Sequence, residues 1–319
     1  MNNDSSITLE SKPCPLGCSG EDHLVLIGRD RLQNLPGEFT ILECNTCGLM
    51  RTNPRPTPES MGFYYPDSYG PYQGTRVDLP EQTVKILLKA KQLAKRLFEF
   101  NTFRLPILPA GRMLEVGCAS GAFLHQMAGK GWDVEGLEFS SKAAERARVL
   151  GYSVCTSTIE DAPDPKKTFD LIVGWMVLEH LHHPVLALQK LHRWTKKGGW
   201  LVVSLPNPGS LEFRLFKDKW YALHLPNHLY HYTVQTFDKI LEKSGWQLKE
   251  VHHQRIMSNL IGSLGYLIDE QSSISGLRNL LLRFPEKAGV LHCLLFPIAY
   301  LLSTVGQTGR MTVWARRKE

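Results

Sequence analysis

Residues 113–138 constrain the fold more than any other part of this 319-residue chain. They contain a short apolar strand, a loop from Gly117 to Gly121, a helix that begins at Ala122, and a second strand that ends at Glu138. A strand, a glycine turn, a helix and a strand form half of a Rossmann-like sheet, which binds its ligand at the carboxyl ends of the strands. We therefore predict an α/β fold with a ligand beside Gly117.

The glycine loop differs from that of a dinucleotide site. Its spacing is G-x-x-x-G with Ala119 in the middle, whereas dinucleotide sites have G-x-G-x-x-G. Glu115, two residues before the first glycine, repels a pyrophosphate and attracts a cation. These residues favour a sulfonium cofactor that carries an ammonium group over a nicotinamide dinucleotide. Glu138 can accept hydrogen bonds from two ribose hydroxyls.

Composition places the chain among ordinary globular proteins. Apolar residues make up 43% and charged residues 21% of it, which excludes a disordered, collagen-like or polytopic membrane protein. The net charge of +6 is too mild for a dedicated nucleic-acid binder. The first twelve residues lack the basic and apolar regions of a signal peptide, so we expect a cytoplasmic protein.

Four of the seven cysteines form two close pairs: Cys14 with Cys18, and Cys44 with Cys47. Two cysteine knuckles joined by a hairpin-sized spacer can supply four thiolates to a structural zinc ion. His23 is an alternative to one of these ligands. Four metal-free buried thiols, or a redox pair at residues 44–47, are the competing interpretations. A closed four-cysteine site has no open position for water, so the zinc would be structural.

The chain divides into three predicted segments. Residues 1–58 form a zinc-ribbon-like lobe, residues 59–105 a connector with a basic amphipathic helix at 81–100, and residues 106–319 the main domain. The connector's tyrosines either line a substrate site or pack the lobe onto its neighbour. Its basic helix either lies on an anionic membrane or, as we favour, covers a sheet.

Several motifs of the main domain resemble those of class I S-adenosylmethionine-dependent methyltransferases. They are the glycine loop at 114–121, the acid at Glu138, the strand and loop at 169–181, and the strand at 198–204. The resemblance covers about residues 106–255 and the last ten. The nearest group is ubiquinone-biosynthesis-like (types 11, 12 and 23), with a leading cysteine region and a Pro-x-His-Leu segment, here residues 226–229. The resemblance implies a seven-stranded Rossmann-like sheet.

The resemblance also implies the cofactor-binding residues. The methionine moiety would meet Glu115, Gly117, Cys118 and Gly121; Glu138 would hold the ribose; Phe139, Ile159 and Glu160 would meet the adenine; and Trp175 would close over the cofactor. Some quinone O-methyltransferases hold a divalent metal with Glu-x-x-Glu-His after the fourth strand. Here Met176 stands in place of the first acid, so we expect no catalytic metal.

Histidines supply the candidate catalytic base. Methyl transfer requires alignment of the nucleophile with the methyl group and a group that removes the nucleophile's proton. A histidine is a suitable base for a hydroxyl. Our candidates are His228 and His231, followed by His180, and a purely structural role is the alternative for each.

An insert at about residues 256–307 separates the last two predicted strands. It contains an uncharged run at 289–305, interrupted by Pro297, which is short for a bilayer span. We expect helices here. They would form a hairpin that dips into a membrane surface, a lid over a lipid substrate, a dimer interface or a buried packing hairpin.

The expected function is transfer of a methyl group from S-adenosylmethionine to a small, lipid-linked or sugar-linked acceptor, at oxygen. The partners would be this small-molecule, lipid or glycan acceptor, a membrane surface at the insert, or a second copy in a homodimer. One alternative is an rRNA or tRNA methyltransferase whose zinc lobe grips RNA, although the chain lacks an aromatic RNA-binding consensus. Another is a non-catalytic scaffold that binds the cofactor.

Overall fold

The computed structural model describes residues 7–65, 98–268, 271–287 and 291–318. The strands are β1 (Leu9–Glu10), β2 (Asp22–Arg29), β3 (Glu38–Cys44), β4 (Met50–Thr52), β5 (Arg55–Pro56), β6 (Arg112–Val116), β7 (Asp133–Glu138), β8 (Ser153–Thr156), β9 (Phe169–Trp175), β10 (Thr195–Pro206), β11 (Tyr230–His231), β12 (Trp246–His253) and β13 (Arg310–Arg317). The helices are α1 (Pro58–Met61), α2 (Ala122–Ala128), α3 (Ser141–Val149), α4 (Pro184–Trp194), α5 (Leu211–Phe216), α6 (Val234–Lys243), α7 (Ser258–Leu267), α8 (Ser275–Lys287) and α9 (Leu291–Thr304).

Seven strands form one sheet in the order β12-β13-β10-β9-β6-β7-β8. The strand β13 is antiparallel to its neighbours β10 and β12, and the remaining pairs are parallel. The central strands of this sheet contain continuous buried runs at 171–174 and 201–206, as expected where helices cover both faces of a parallel sheet. This order is that of the Rossmann-like methyltransferase sheet, so the predicted fold class is confirmed.

Residues 7–65, here called the cysteine lobe, share a sheet with the main domain. The strands β2, β3 and β4 form an antiparallel sheet. Its fourth strand is β11, in which Tyr230 pairs with Arg51 and His231 pairs with Met50. Residues 225–232, which include β11, are all buried. The lobe is therefore joined to the main domain by backbone pairing.

Side chains reinforce this junction. The Thr52 amide donates to the Leu229 carbonyl at 3.0 Å, and the Thr52 hydroxyl donates to the His228 carbonyl at 2.7 Å. From the other side, the Lys239 ammonium donates to the Cys47 carbonyl at 3.0 Å. These bonds satisfy backbone groups that the junction removes from water.

The connector's first tyrosines have different positions. Tyr64 is buried in the cysteine lobe, with its ring centroid 5.6 Å from that of Phe39. The Tyr65 hydroxyl lies 2.8 Å from Nδ1 of His180 in the main domain. Tyr69, Tyr72 and most of the predicted basic helix at 81–100 lie outside the described residues.

The insert between β12 and β13 is helical, as expected, and consists of α7, α8 and α9. It packs closely on the main domain at Gly262 of α7, where an added Cβ would overlap the ring of Tyr221. Among the described residues, no helix combines the length and the apolarity that crossing a membrane requires.

We expect Gly262→Ala to lower the free energy of unfolding by about 1–3 kcal/mol, because the added methyl group has no space beside the Tyr221 ring. Gly276→Ala in α8 is the matched control, since nothing lies within 4 Å of its new Cβ. Alanine is the better helix former there, so this variant should be unchanged or more stable by up to about 1 kcal/mol. Urea denaturation measures both. Equal stability of the two variants would contradict this packing of the insert.

Candidate active site

The glycine loop follows β6 and has a left-handed backbone at three positions. The φ angles are +69° at Gly117, +45° at Ala119 and +81° at Gly121. The Gly117 amide donates to the Leu137 carbonyl at 2.7 Å, which ties the loop to the end of β7. A Cβ at Gly117 would lie 2.6 Å from Val177, so only glycine fits. The loop therefore lies at the carboxyl edge of the sheet, where this fold binds ligands.

Glu115 places an unsatisfied carboxylate at this loop. Its side chain is buried, and Oε2 has no hydrogen-bond partner in the part of the chain that the structure describes. Burial raises the pKa of Glu115 well above its ordinary value. An unpaired buried carboxylate oxygen is costly, and an ammonium group would compensate it. The amino-acid end of S-adenosylmethionine carries such a group, so this donor set fits the cofactor.

Glu138 ends β7 and faces the same loop. Its Oε2 accepts a hydrogen bond from the Ala119 amide, and its Oε1 accepts one from the Ser140 amide, both at 2.8 Å. Burial raises the pKa of this carboxyl group. Phe139, the next residue, is 63% exposed. A fixed acid beside an exposed ring suits a ribose followed by a flat base.

Three other predicted cofactor residues, Cys118, Ile159 and Glu160, are held by packing or by a backbone hydrogen bond. Cys118 is buried, and its Sγ lies where a Cβ on Gly136 would be, so the thiol packs onto β7. Ile159 is buried in the turn after β8. The carbonyl of Glu160 in that turn accepts a hydrogen bond from Lys190 at 2.7 Å, which anchors the turn to α4.

Trp175 ends β9 and belongs to an aromatic group. Its ring centroid lies 5.0 Å from that of Phe103 and 5.0 Å from that of Phe123, and both pairs meet edge to face. The indole Nε1 is buried and has no hydrogen-bond partner. Phe103 is half exposed. The three rings form an apolar wall at the end of β9.

The fold brings His180 together with His224, His228 and His231, here called the histidine group. The ring of His228 lies 4.6 Å from that of His180 and 4.9 Å from that of His224, between centroids. His231 is 6.5 Å from His228, and its Nε2 lies 3.3 Å from the Thr52 hydroxyl of the cysteine lobe. Of the three predicted catalytic histidines, His228 and His231 are buried, whereas His180 is partly exposed.

A carboxyl group outside the predicted site residues lies beside these histidines. Glu179 is fully buried, and neither of its oxygens has a hydrogen-bond partner among the described residues. Its Oε1 lies 3.9 Å from Nε2 of His228. Burial raises the pKa of Glu179 to about 8, so it is protonated at pH 7. His228 donates Nδ1–H to the Ala222 carbonyl at 3.0 Å, which leaves a lone pair on Nε2, facing this acid.

The histidines of this group are neutral at pH 7. Burial lowers the pKa of His180 to about 4 and the pKa values of His224 and His231 to about 3. Nδ1 of His180 lies 3.0 Å from the Asn227 carbonyl, which can only accept a hydrogen bond. The Tyr65 hydroxyl, 2.8 Å from the same nitrogen, can either donate or accept. With the proton on Nδ1, the tautomer that satisfies the Asn227 carbonyl, Nε2 has the lone pair that a general base needs.

Glu179, His180 and His228 also offer a donor set for a metal ion. One ligand atom from each lies within 4.8 Å of the other two. Our expectation of no catalytic metal considered only the linear Glu-x-x-Glu-His motif. The fold adds His228, from 48 residues further along the chain, to the acid and histidine that remain of that motif.

The four predicted zinc ligands form a second group. The Sγ atoms of Cys14, Cys18, Cys44 and Cys47 all lie within 4.8 Å of one another, and those of Cys14 and Cys47 are 3.5 Å apart. Tetrahedral zinc with thiolates at about 2.3 Å needs such spacing. Gly17 and Gly48 have φ angles of +80° and +77° in the turns beside the cysteines. His23 instead lies against Asn45, at 2.7 Å.

Comparison with known families identifies the main domain. A family model described as a methyltransferase domain matches residues 89–251, about half of the chain. The chain belongs to this methyltransferase family. With the observed sheet order, this makes the main domain a class I S-adenosylmethionine-dependent methyltransferase domain and confirms the resemblance.

Curated relatives of this methyltransferase include two enzymes named ubiquinone biosynthesis O-methyltransferase. The one from Thiobacillus denitrificans is 30% identical over 135 residues, 38% of this chain and 58% of that protein. The one from Alkalilimnicola ehrlichii is 27% identical over 170 residues, 48% of this chain and 67% of that protein. The chain thus spans little more than half the length of the first relatives that it matches.

A solved S-adenosylmethionine dependent methyltransferase from Mesorhizobium loti is similar at 19% identity, with a TM-score of 0.46. The alignment covers 72% of this chain and 96% of that one.

The local sequence gave little indication that Glu179, Phe103 and Phe123 belong to the site. Glu179 was visible in the motif after the fourth strand, but only the fold shows that it is buried without a hydrogen-bond partner. Phe103 and Phe123 were ordinary apolar residues until the fold placed them against Trp175.

We expect the buried histidines to make stability depend on pH. Burial lowers the pKa of His231 to about 3, whereas an unfolded histidine titrates near about 6.5. The unfolded state therefore binds one more proton between these values, and this contribution to stability, complete above pH 6.5, is lost as the pH falls toward 3. In His231→Gln, the free energy of unfolding should fall less steeply between pH 6 and 4, by about 1.4 kcal/mol per pH unit.

Denaturant titrations at several pH values measure this slope. His183→Gln, at an exposed histidine, is the matched control and should keep the wild-type slope. An unchanged slope in His231→Gln would show that His231 is not buried in the neutral form.

Proposed function

We propose that this protein transfers a methyl group from S-adenosylmethionine to an oxygen nucleophile of a small acceptor. The observation that carries the proposal is the unpartnered, buried Oε2 of Glu115 beside the glycine loop. Within the described residues this oxygen has no partner of its own, and the cofactor's ammonium group would provide one. Glu138 stands at the end of the adjacent strand β7, where an acid can accept hydrogen bonds from ribose hydroxyls.

Each predicted cofactor residue has a role in this proposal. Glu115 holds the ammonium group, and the backbone at Gly117, Cys118 and Gly121 lies against the methionine moiety. Glu138 accepts hydrogen bonds from the ribose hydroxyls. The adenine packs between Phe139 and the turn at Ile159 and Glu160, while Trp175 with its two phenylalanine neighbours excludes water beside the sulfonium.

The protein's part in the chemistry is alignment and proton removal. S-adenosylmethionine supplies an electrophilic methyl carbon, and S-adenosylhomocysteine leaves as the carbon–oxygen bond forms. Among the three predicted catalytic histidines, we propose His180 as the base, because it is partly exposed and has a lone pair on Nε2. It takes the proton of the acceptor hydroxyl. His228 and His231 are then positioning residues that act through it.

The finer features of the acceptor are proposals as well. Transfer to oxygen is supported by the names of the curated relatives, which are O-methyltransferases. A lipid-linked or sugar-linked acceptor is supported by the apolar side chains that α7, α8 and α9 expose next to the main domain. The same surface is the proposed site of contact with a membrane or with a second copy of the chain.

We also propose that the four cysteines hold a structural zinc ion. Its role would be to fix the two cysteine turns beside the β4–β11 junction. The predicted lobe at 1–58 would in this way stabilise the domain at 106–319, with the connector at 59–105 between them in the chain. All four sulfurs are committed to the metal in such a site, which leaves no position for catalysis.

Calorimetric titration with S-adenosylhomocysteine tests the cofactor site. Wild-type protein should bind at micromolar concentration, and Glu138→Ala should bind at least about tenfold more weakly because it loses hydrogen bonds to the ribose. Glu145→Ala removes an exposed carboxylate of α3 outside the site and is the matched control, with wild-type affinity.

Absence of binding by folded wild-type protein would overturn the methyltransferase proposal. Binding without methyl transfer to any lipid, sugar or quinol acceptor would favour the scaffold alternative. Methyl transfer to RNA in the same assay would favour the RNA alternative.

Metal analysis tests the zinc proposal. We expect one zinc ion per wild-type chain and its loss in Cys44→Ser, together with a lower Tm, since structural zinc contributes directly to folding. Cys155→Ser, at an exposed cysteine outside the group, is the control and should keep both zinc and Tm. Metal that remains after all four cysteines are replaced by serine would belong to the group of Glu179, His180 and His228. Wild-type protein that folds without zinc would contradict the proposal.

A further inference from the structure

A polar pocket lies where the cysteine lobe, the turn after α5 and the helical insert meet. Its volume is about 320 Å³, which corresponds to roughly ten water molecules. Its lining includes Arg29, Arg31, Lys219, Tyr266, Leu267 and Arg278. No single segment builds this pocket, because its cationic residues come from three distant parts of the chain.

The lining is strongly cationic. Four of its side chains are Arg or Lys: Arg29, Arg31, Lys219 and Arg278. Among the described residues that line this pocket and the smaller cavity beside it, Asp218 is the one carboxylate, and it pairs with Arg31 at 2.6 Å. Asp269 and Glu270 lie outside the described residues.

The loop that carries two of these arginines is held in place. Asp30, between them, is buried, and its carboxylate accepts hydrogen bonds from the backbone amides of Leu32, Gln33 and Leu35 at 2.9–3.2 Å. This acid is thus engaged by the loop's own backbone. The flanking Arg29 and Arg31 both line the pocket.

Tyr266 adds a neutral donor to the cations. Burial raises the pKa of this phenol, so the hydroxyl keeps its proton at neutral pH. Its ring stacks on that of Tyr221, with the centroids 5.7 Å apart. Guanidinium, ammonium and hydroxyl donors around one pocket suit an anion with many acceptor oxygens, as a phosphate has.

The pocket adjoins the histidine group. A smaller cavity of about 10 Å³ shares Arg29, Arg31 and Tyr266 with it and extends to His224. His224 in turn lies 4.9 Å from His228, between ring centroids. The pocket is therefore linked through His224 and His228 to His180, the proposed base.

The insert exposes apolar side chains at and near residues that line the pocket. Leu267, which lines the pocket, is 52% exposed, and Ile274, Leu277 and Leu280, within four positions of Arg278 in the chain, are 48–67% exposed. Exposed apolar side chains can form a binding surface. A phosphate that is attached to an apolar chain would match both features.

We propose that this pocket binds a phosphate or diphosphate group of the methyl acceptor, and that the acceptor's apolar part lies on α7 and α8. The inference rests on the proposed function, because it names the acceptor class for that site. The shared chemistry is the phosphate, which a soluble sugar phosphate or a lipid-linked diphosphate could supply.

Calorimetric titrations with glucose 1-phosphate, inorganic diphosphate and farnesyl diphosphate test the proposal and distinguish these sources. Wild-type protein should bind farnesyl diphosphate most tightly, and the double variant Arg29→Ala with Lys219→Ala should bind each phosphate at least about tenfold more weakly. Binding should weaken as salt is raised. Lys249→Ala removes an exposed cation away from the pocket and should behave as wild type.

S-adenosylhomocysteine titration of the same samples separates the two proposals. If wild type and the double variant both bind it with equal affinity, the cofactor site is intact in each. Failure of all three phosphates to bind such protein, or equal binding by the double variant, would overturn the phosphate pocket alone. Failure of S-adenosylhomocysteine to bind wild type would overturn the proposed function instead. Binding of glucose 1-phosphate as tight as that of farnesyl diphosphate would support the pocket and overturn the role of the apolar surface.

Discussion

The pairing of β4 with β11 is the interaction on which the rest of the structure depends. It buries residues 225–232 between the cysteine lobe and the methyltransferase sheet. The same burial places His228 beside Glu179 and brings His231 to Thr52. The lobe is therefore part of the proposed active site, because the histidine group has its present geometry only while this junction is formed.

Two buried acids give the site its chemical character. Among the described residues, Oε2 of Glu115 and both carboxyl oxygens of Glu179 have no hydrogen-bond partner, and burial raises the pKa values of both acids. Such groups lower the stability of a folded chain, and functional sites are where proteins retain them. In our account, Glu115 gains its partner from the cofactor, whereas Glu179 stores a proton next to the lone pair of His228.

Local sequence patterns predicted the sheet, but they could not predict contacts between residues that are far apart in the chain. The strand, glycine loop and acid at 113–138 are one contiguous signal, so the fold class and the cofactor edge could be predicted from it. The four cysteines could be predicted as a group because their spacing matches a known coordination geometry. By contrast, β11 has two residues, and its partner β4 lies about 180 positions earlier in the chain, so no local pattern indicates the pairing. The cationic pocket is equally non-local, since Arg29, Lys219 and Arg278 become neighbours only when the insert folds back.

A crystal structure of the zinc-loaded protein with S-adenosylhomocysteine tests the central claim most directly. The account predicts the ligand at the carboxyl edge of β6 and β7, with its ammonium group on Glu115 and its ribose hydroxyls on Glu138. It also predicts an anomalous zinc signal among the four cysteine sulfurs. A ligand bound elsewhere, or a Glu115 carboxylate that remains without a partner in the complex, would contradict it.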